Sequence, residues 1–156
     1  MDPYARALLR LQADHVSRSL VPAFYRLLQA QDSASQIAGA QVFSDALTQL
    51  LSLLERGGRE IGLESGPGSG LWYENGELNW TDVMAGPCAL YDHCLAAGPL
   101  TRSKGLFRAS NVLKHYRAFE LPTDPKLHAW LNRLFGHPSF KATCSTERLY
   151  LDSYER

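Results

Sequence analysis

The chain has 156 residues, enough for one domain with its own core and too few for two ordinary ones. Apolar residues make up 45%, charged residues 21% and aromatic residues 10%, the balance of a globular domain rather than a disordered or fibrous chain. Sixteen Lys and Arg against sixteen Asp and Glu give zero formal charge, which disfavours a nucleic-acid partner, since phosphates are held by a basic surface.

Three cysteines, Cys88, Cys94 and Cys144, fit no disulfide scaffold, so a reducing, cytoplasmic compartment is expected. Nowhere do eighteen apolar residues follow one another, and no basic stretch leads into an apolar run at the start. Neither a membrane span nor a signal peptide is expected.

In chain order, Asp2 before Pro3 predicts a helix start, because proline's missing N–H has no partner to lose at the first helical position. Apolar residues at Ala5, Leu8, Leu9, Val16, Leu20, Phe24, Leu27 and Leu28 extend it with a period near 3.6. Pro22 predicts a kink between Arg18 and Pro22. After the polar break Gln31-Asp32-Ser33, a second run from Ile37 to Leu54 predicts an antiparallel helix that stops at Gly57-Gly58. Residues 57–78 then read as a long surface connection. Its Gly66-x-Gly68-x-Gly70 lacks the flanking strand, helix and Lys-Ser/Thr of a phosphate loop, so it reads as a flexible turn.

Asn79-Trp80-Thr81-Asp82 has the form of a reciprocal cap, with Asn79 and Asp82 as the structural pair that starts a third helix. Helical periodicity resumes at Leu106 and runs to Phe119. Thr123-Asp124-Pro125 begins another helix, which Gly136-His137-Pro138 ends, and a last short one covers Leu149 to Tyr154. With no alternating β-branched run in competition, the fold class is all-α, a helical bundle.

These residues carry a resemblance. The opening Asp2-Pro3-Tyr4-Ala5-Arg6-Ala7, the cap Asn79-x-x-Asp82 leading to Gly86-Pro87, and the run Leu121-Pro122-x-x-Pro125-Lys126-Leu127-x-x-Trp130-Leu131 resemble the carboxy-terminal helical domain of omega-class and fungal omega-like glutathione transferases. His137-Pro138-Ser139-Phe140-Lys141-Ala142-Thr143 and Tyr150-x-x-x-Tyr154 agree with it. The resemblance spans nearly the whole chain, residues 1–156, as one domain of that type. It implies the half of the enzyme that walls the site for a small apolar electrophile, with glutathione as co-substrate of the complete enzyme. It also implies that the thioredoxin-like domain, which binds glutathione and holds the nucleophile, is absent from these residues. No catalytic residue and no bound cofactor is therefore expected in this chain, and a thioredoxin-like domain acting in trans is a possible partner.

Where that family continues from Gly-Pro straight into Phe-x-Arg, residues 88–105 intervene before Leu106-Phe107-Arg108, which reads as an insertion or a retained intron. The resemblance places Arg108 at the rim of the co-substrate pocket, and Tyr150 with Tyr154 at the carboxy-terminal end that closes it. From the residues themselves, His15 and Arg18 lie three apart on the first helix, where a cleft would let them hold a carboxylate; Asp14 beside them offers an ordinary ion pair instead. Cys88, His93 and Cys94 make only three donors at an unfamiliar spacing, so no metal site is expected.

The resemblance further implies a homodimer packed around the first two helices, with Leu9, Val16, Phe43 and Leu47 as candidates for contact or core. An alternative function is a non-catalytic protein-interaction module, like the transferase-like domain of elongation factor one gamma.

Overall fold

Pro3 opens the first helix, where its fixed φ matches helical geometry and its absent N–H breaks no bond. The structure, a computed structural model, describes residues 3–62, 64–66, 68–90 and 108–143. Helix α1 (Pro3–His15) passes into a π-helical turn at Val16–Leu20, and α2 (Val21–Gln29) continues from it. The irregularity expected before Pro22 is thus one turn of wider helix. Pro22 has no N–H to offer the carbonyl one turn back, and the register shifts so that Val21 N–H donates to Val16 O instead.

Helix α3 (Ser33–Ile61) starts where Asp32 caps it, its carboxylate accepting from Ser35 N at 2.8 Å. It does not stop at Gly57-Gly58 but runs four residues on, to Gly62 in the left-handed conformation at φ 58°. The paired glycines serve a different need. A Cβ on Gly57 would stand 2.9 Å from the Tyr73 hydroxyl, which donates to Leu54 O at 2.8 Å. The glycines are the gap through which a later loop reaches the helix, and only the third one ends it.

That loop is correspondingly less superficial than expected. Ser65–Gly66 (β1) and Asn75–Gly76 (β2) form a two-residue parallel pairing, and between them Leu71 and Trp72 are buried in the core. Arg133 holds the turn from the opposite side, donating to Leu71 O at 2.7 Å and Trp72 O at 2.6 Å.

Helix α4 (Trp80–Leu90) begins at the expected cap and carries through Cys88 to Leu90 without a break at the expected insertion boundary. The rest of 88–105, together with Cys94 and His93, lies outside the described residues, as do Cys144 and the expected helix at Leu149 to Tyr154. Helix α5 (Arg108–Arg117) follows, then α6 (Pro125–Gly136) and α7 (Pro138–Thr143). Asp124 caps α6 through Lys126 N at 2.8 Å and Leu127 N at 3.1 Å, with Pro125 at the first position.

The fold is all-α: among the described residues the β1–β2 pairing is the only strand structure. Helix α3 packs on α1 and α2, α5 on α2 and α4, and α6 on α4 and α7. Leu127, Leu131 and Leu134 of α6 and Leu50 of α3 have no exposed surface. By length and hydropathy the Ser33–Glu60 stretch of α3 would be long and apolar enough to cross a membrane, and its Phe43, Leu47, Leu50 and Leu54 face is used in this core. Val16, Phe43 and Leu47 are core as well, so of the four contact candidates only Leu9 keeps partial exposure.

Candidate functional site

The start of α4 is held by a buried network of hydrogen bonds. Asp82 N donates to Asn79 Oδ1 at 2.9 Å while Asn79 N donates to Asp82 Oδ2 at 3.0 Å, the reciprocal cap read from the sequence. The same carboxylate also accepts Leu71 N at 2.9 Å and, through Oδ1, the Trp130 indole N–H at 2.9 Å. Asp82 is only 1% exposed. Burial pushes its carboxyl above the ordinary aspartate range, opposed by the N–H groups of Asn79, Leu71 and Trp130. Asp82 thus ties α4, the β1–β2 loop and α6 together.

A second buried polar chain sets the spacing of α1 and α4. Thr81 Oγ1 donates to Gln12 Oε1 at 3.0 Å, and Gln12 Nε2 donates to Leu53 O at 3.0 Å, joining α4, α1 and α3. Above this chain α1 and α4 part to leave an open groove of about 550 Å³. Leu9, Ala13 and Met84 give it an apolar lining and Trp80 stands at its side, 63% exposed. Arg6 and Arg10 lie along its α1 flank, with Asp14 near the end of that helix and Ser17 in the π-helical turn that follows. This size and apolar character suit a small organic ligand.

The cap explains why Trp80 is presented there. As the first residue of α4, it follows directly on Asn79, whose backbone and side chain are both held by the reciprocal bonds. Its ring is carried outward from a turn held by those bonds.

His15 and Arg18 are not brought together. His15 Nε2 lies 2.7 Å from Ala46 O and fastens the end of α1 to α3. Arg18 pairs with Asp14 at 2.7 Å, the solvated ion pair that the sequence offered as the alternative, with the Arg18 side chain 80% exposed. Asn79 and Asp82 act as the cap they were expected to be. Arg108 opens α5, and Tyr150 and Tyr154 lie outside the described residues. Among the described residues no cluster of His, Cys, Asp or Glu is arranged to hold a metal.

Sequence reasoning missed Arg6, Arg10, Trp80 and Met84 as groove residues. A signal was present: Arg6 and Arg10 place like charges at i and i+4 in the first half of a helix, where both their mutual repulsion and the helix dipole oppose them. Two further hollows, of about 460 and 620 Å³, run along α2 and α3 and share Arg26 and Val42. Of their charged residues, Arg18 pairs with Asp14, Asp45 accepts from Gln41 at 2.8 Å and Asp32 caps α3, while Arg26, which lines both, makes no ion pair among the described residues. Comparison with protein-family models, curated proteins and solved structures gives no match for the chain.

Proposed function

We propose that this chain is the small-molecule-binding helical half of an omega-like glutathione transferase, in which the α1/α4 groove is the wall against which a small apolar electrophile rests. The complete enzyme would conjugate or reduce that electrophile with glutathione, and the thioredoxin-like domain would supply the glutathione site and the nucleophile. The observation that carries the reading is the groove itself: an apolar surface left open on the first helix and the capped helix, with Trp80 63% exposed beside Leu9 and Met84. Covering most of such an indole is worth about 2 kcal/mol, enough to matter for a ligand of this size.

The test uses the purified chain. It is expected to pass through immobilised glutathione unretained while binding the neutral apolar dye N-phenyl-1-naphthylamine with an affinity of about 10 µM. Tight glutathione binding, or no binding of the dye, would contradict the reading. The interaction-module alternative draws on the same exposure, since Val83 and Leu11 are also exposed on these two helices. In that case translation factors would be recovered on the immobilised chain and released by Trp80→Ala.

A further inference from the structure

We infer that Asn75-Gly76 is a self-modification site: the Asn75 carboxamide closes on the Gly76 nitrogen to a succinimide, and hydrolysis to isoaspartate releases the β1–β2 pairing. No enzyme is required, and water is the only co-reactant.

Three observations meet at this dipeptide. Asn75 is exposed, and among the described residues its side chain makes no hydrogen bond, so the carboxamide is free to turn toward the next backbone nitrogen. Packing decides which residue that nitrogen belongs to. A Cβ at position 76 would overlap Gly70 O, so the fold admits only glycine there, and glycine has no side chain to screen its nitrogen. The third observation is how little holds that nitrogen. Gly76 N–H donates to Tyr73 O at 3.1 Å across the turn Tyr73–Gly76, and the adjoining pairing is only Ser65 with Asn75 and Gly66 with Gly76. A pairing this short opens locally while the rest of the fold stays closed.

Two other asparagines mark the difference. Asn132 is exposed too, but it lies inside α6, where helical bonding holds the backbone N–H groups, and Arg133 follows it. Asn79 is buried, and its side chain accepts Asp82 N in the α4 cap. At Asn75 the chemistry is unobstructed once the turn opens. Gly76 N attacks Asn75 Cγ: the N–Cγ bond forms, the Cγ–Nδ2 bond breaks, and ammonia leaves with the proton from Gly76 N. Nothing is oxidised or reduced. One water then opens the ring, at Cγ to give aspartate on an unchanged backbone, or at the backbone carbonyl to give isoaspartate with an extra carbon in the main chain. Either way a carboxylate appears beside the exposed Glu74 and Glu77. The extra backbone atom shifts one strand against the other and destroys their register. The loop so loosened is the one whose Leu71 N–H donates to Asp82 at 2.9 Å.

The purified chain, aged at mildly alkaline pH, tests this by peptide mapping with isoaspartate detection and by hydrogen exchange at Leu71. Conversion at Asn75 is expected to outrun that at Asn132 by at least about tenfold, with isoaspartate among the products, and the Leu71 N–H should exchange at least about tenfold faster in the modified chain. Asn75→Gln keeps a carboxamide but would have to close a larger, slower-forming ring, so after the same ageing it should show neither change. Conversion at Asn75 no faster than at Asn132 overturns the inference, because the turn then protects the nitrogen. Conversion without faster Leu71 exchange overturns it as well, since the modification then releases nothing. Faster exchange that appears equally in aged Asn75→Gln also overturns it, because ageing then acts elsewhere.

Discussion

At the start of α4 two residues in one helical turn meet opposite surroundings. Asp82 is 1% exposed, and its carboxylate accepts N–H groups from Asn79, Leu71 and Trp130. Trp80, two positions earlier, is 63% exposed at the edge of an open groove beside two arginines that lack described partners. One side of the turn is a saturated polar joint and the other is unsatisfied surface. The contrast teaches that the exposed ring is not a loose end: the joint fixes the backbone that carries it, and a fixed, unsatisfied surface is what a binding site requires.

The comparison breaks most visibly if the joint is removed. Asp82→Ala leaves buried N–H groups of Leu71, Asn79 and Trp130 without acceptors, and each such group costs 1 kcal/mol or more, so a loss of at least about 3 kcal/mol is expected in urea unfolding. A loss below about 1 kcal/mol would show that water replaces the carboxylate and that the joint is not closed.

A sharper version varies pH. Burial holds the Asp82 carboxyl above its ordinary 3.8, so between 3.8 and its raised value the folded state binds more protons than the unfolded one. Stability from this group is therefore greatest at the acid end and falls as pH rises through the interval. Asp82→Asn removes that dependence, and the stability difference between parent and variant should narrow with rising pH. A difference that widens with pH would mean that the N–H bonds outweigh burial.

Smaller effects are expected where α3 meets the loop. Gly57→Ala gains about 1 kcal/mol of helix propensity, but its methyl would meet the Tyr73 hydroxyl at 2.9 Å. The expected net effect is a loss of about 1 kcal/mol in the parent, turning to a gain when Tyr73→Phe removes the hydroxyl. If Gly57→Ala stabilises the parent outright, the close approach of Tyr73 is not what keeps glycine there.

The elements of this fold that are written locally were legible in the sequence. Asn79 with Asp82, Asp124 with Pro125, and the Asp32 break each act within four residues, where side chain and backbone donor are bound to meet. Features made by distant contacts were not. Nothing near Gly57 announces that Tyr73 will reach it, so two glycines that ordinarily end a helix were read as its end. Leu71 and Trp72 sit among glycines, a proline and acids, and it is bonds to the distant Arg133, Asp82 and Leu54 that join the loop to the core. The groove joins Arg6 and Arg10 to Trp80 across some seventy positions. Each half was visible as an oddity, a like-charged pair and a tryptophan at a helix start, but their juxtaposition is a property of packing alone.

The most direct measurement is the binding of N-phenyl-1-naphthylamine to the parent chain and to Trp80→Ala, with urea unfolding of both. Because the indole is exposed, the substitution is expected to leave stability within about 0.5 kcal/mol of the parent and to weaken dye binding by about tenfold or more. A variant as stable as the parent that binds the dye equally well would show that the α1/α4 groove is not where this chain meets its ligand.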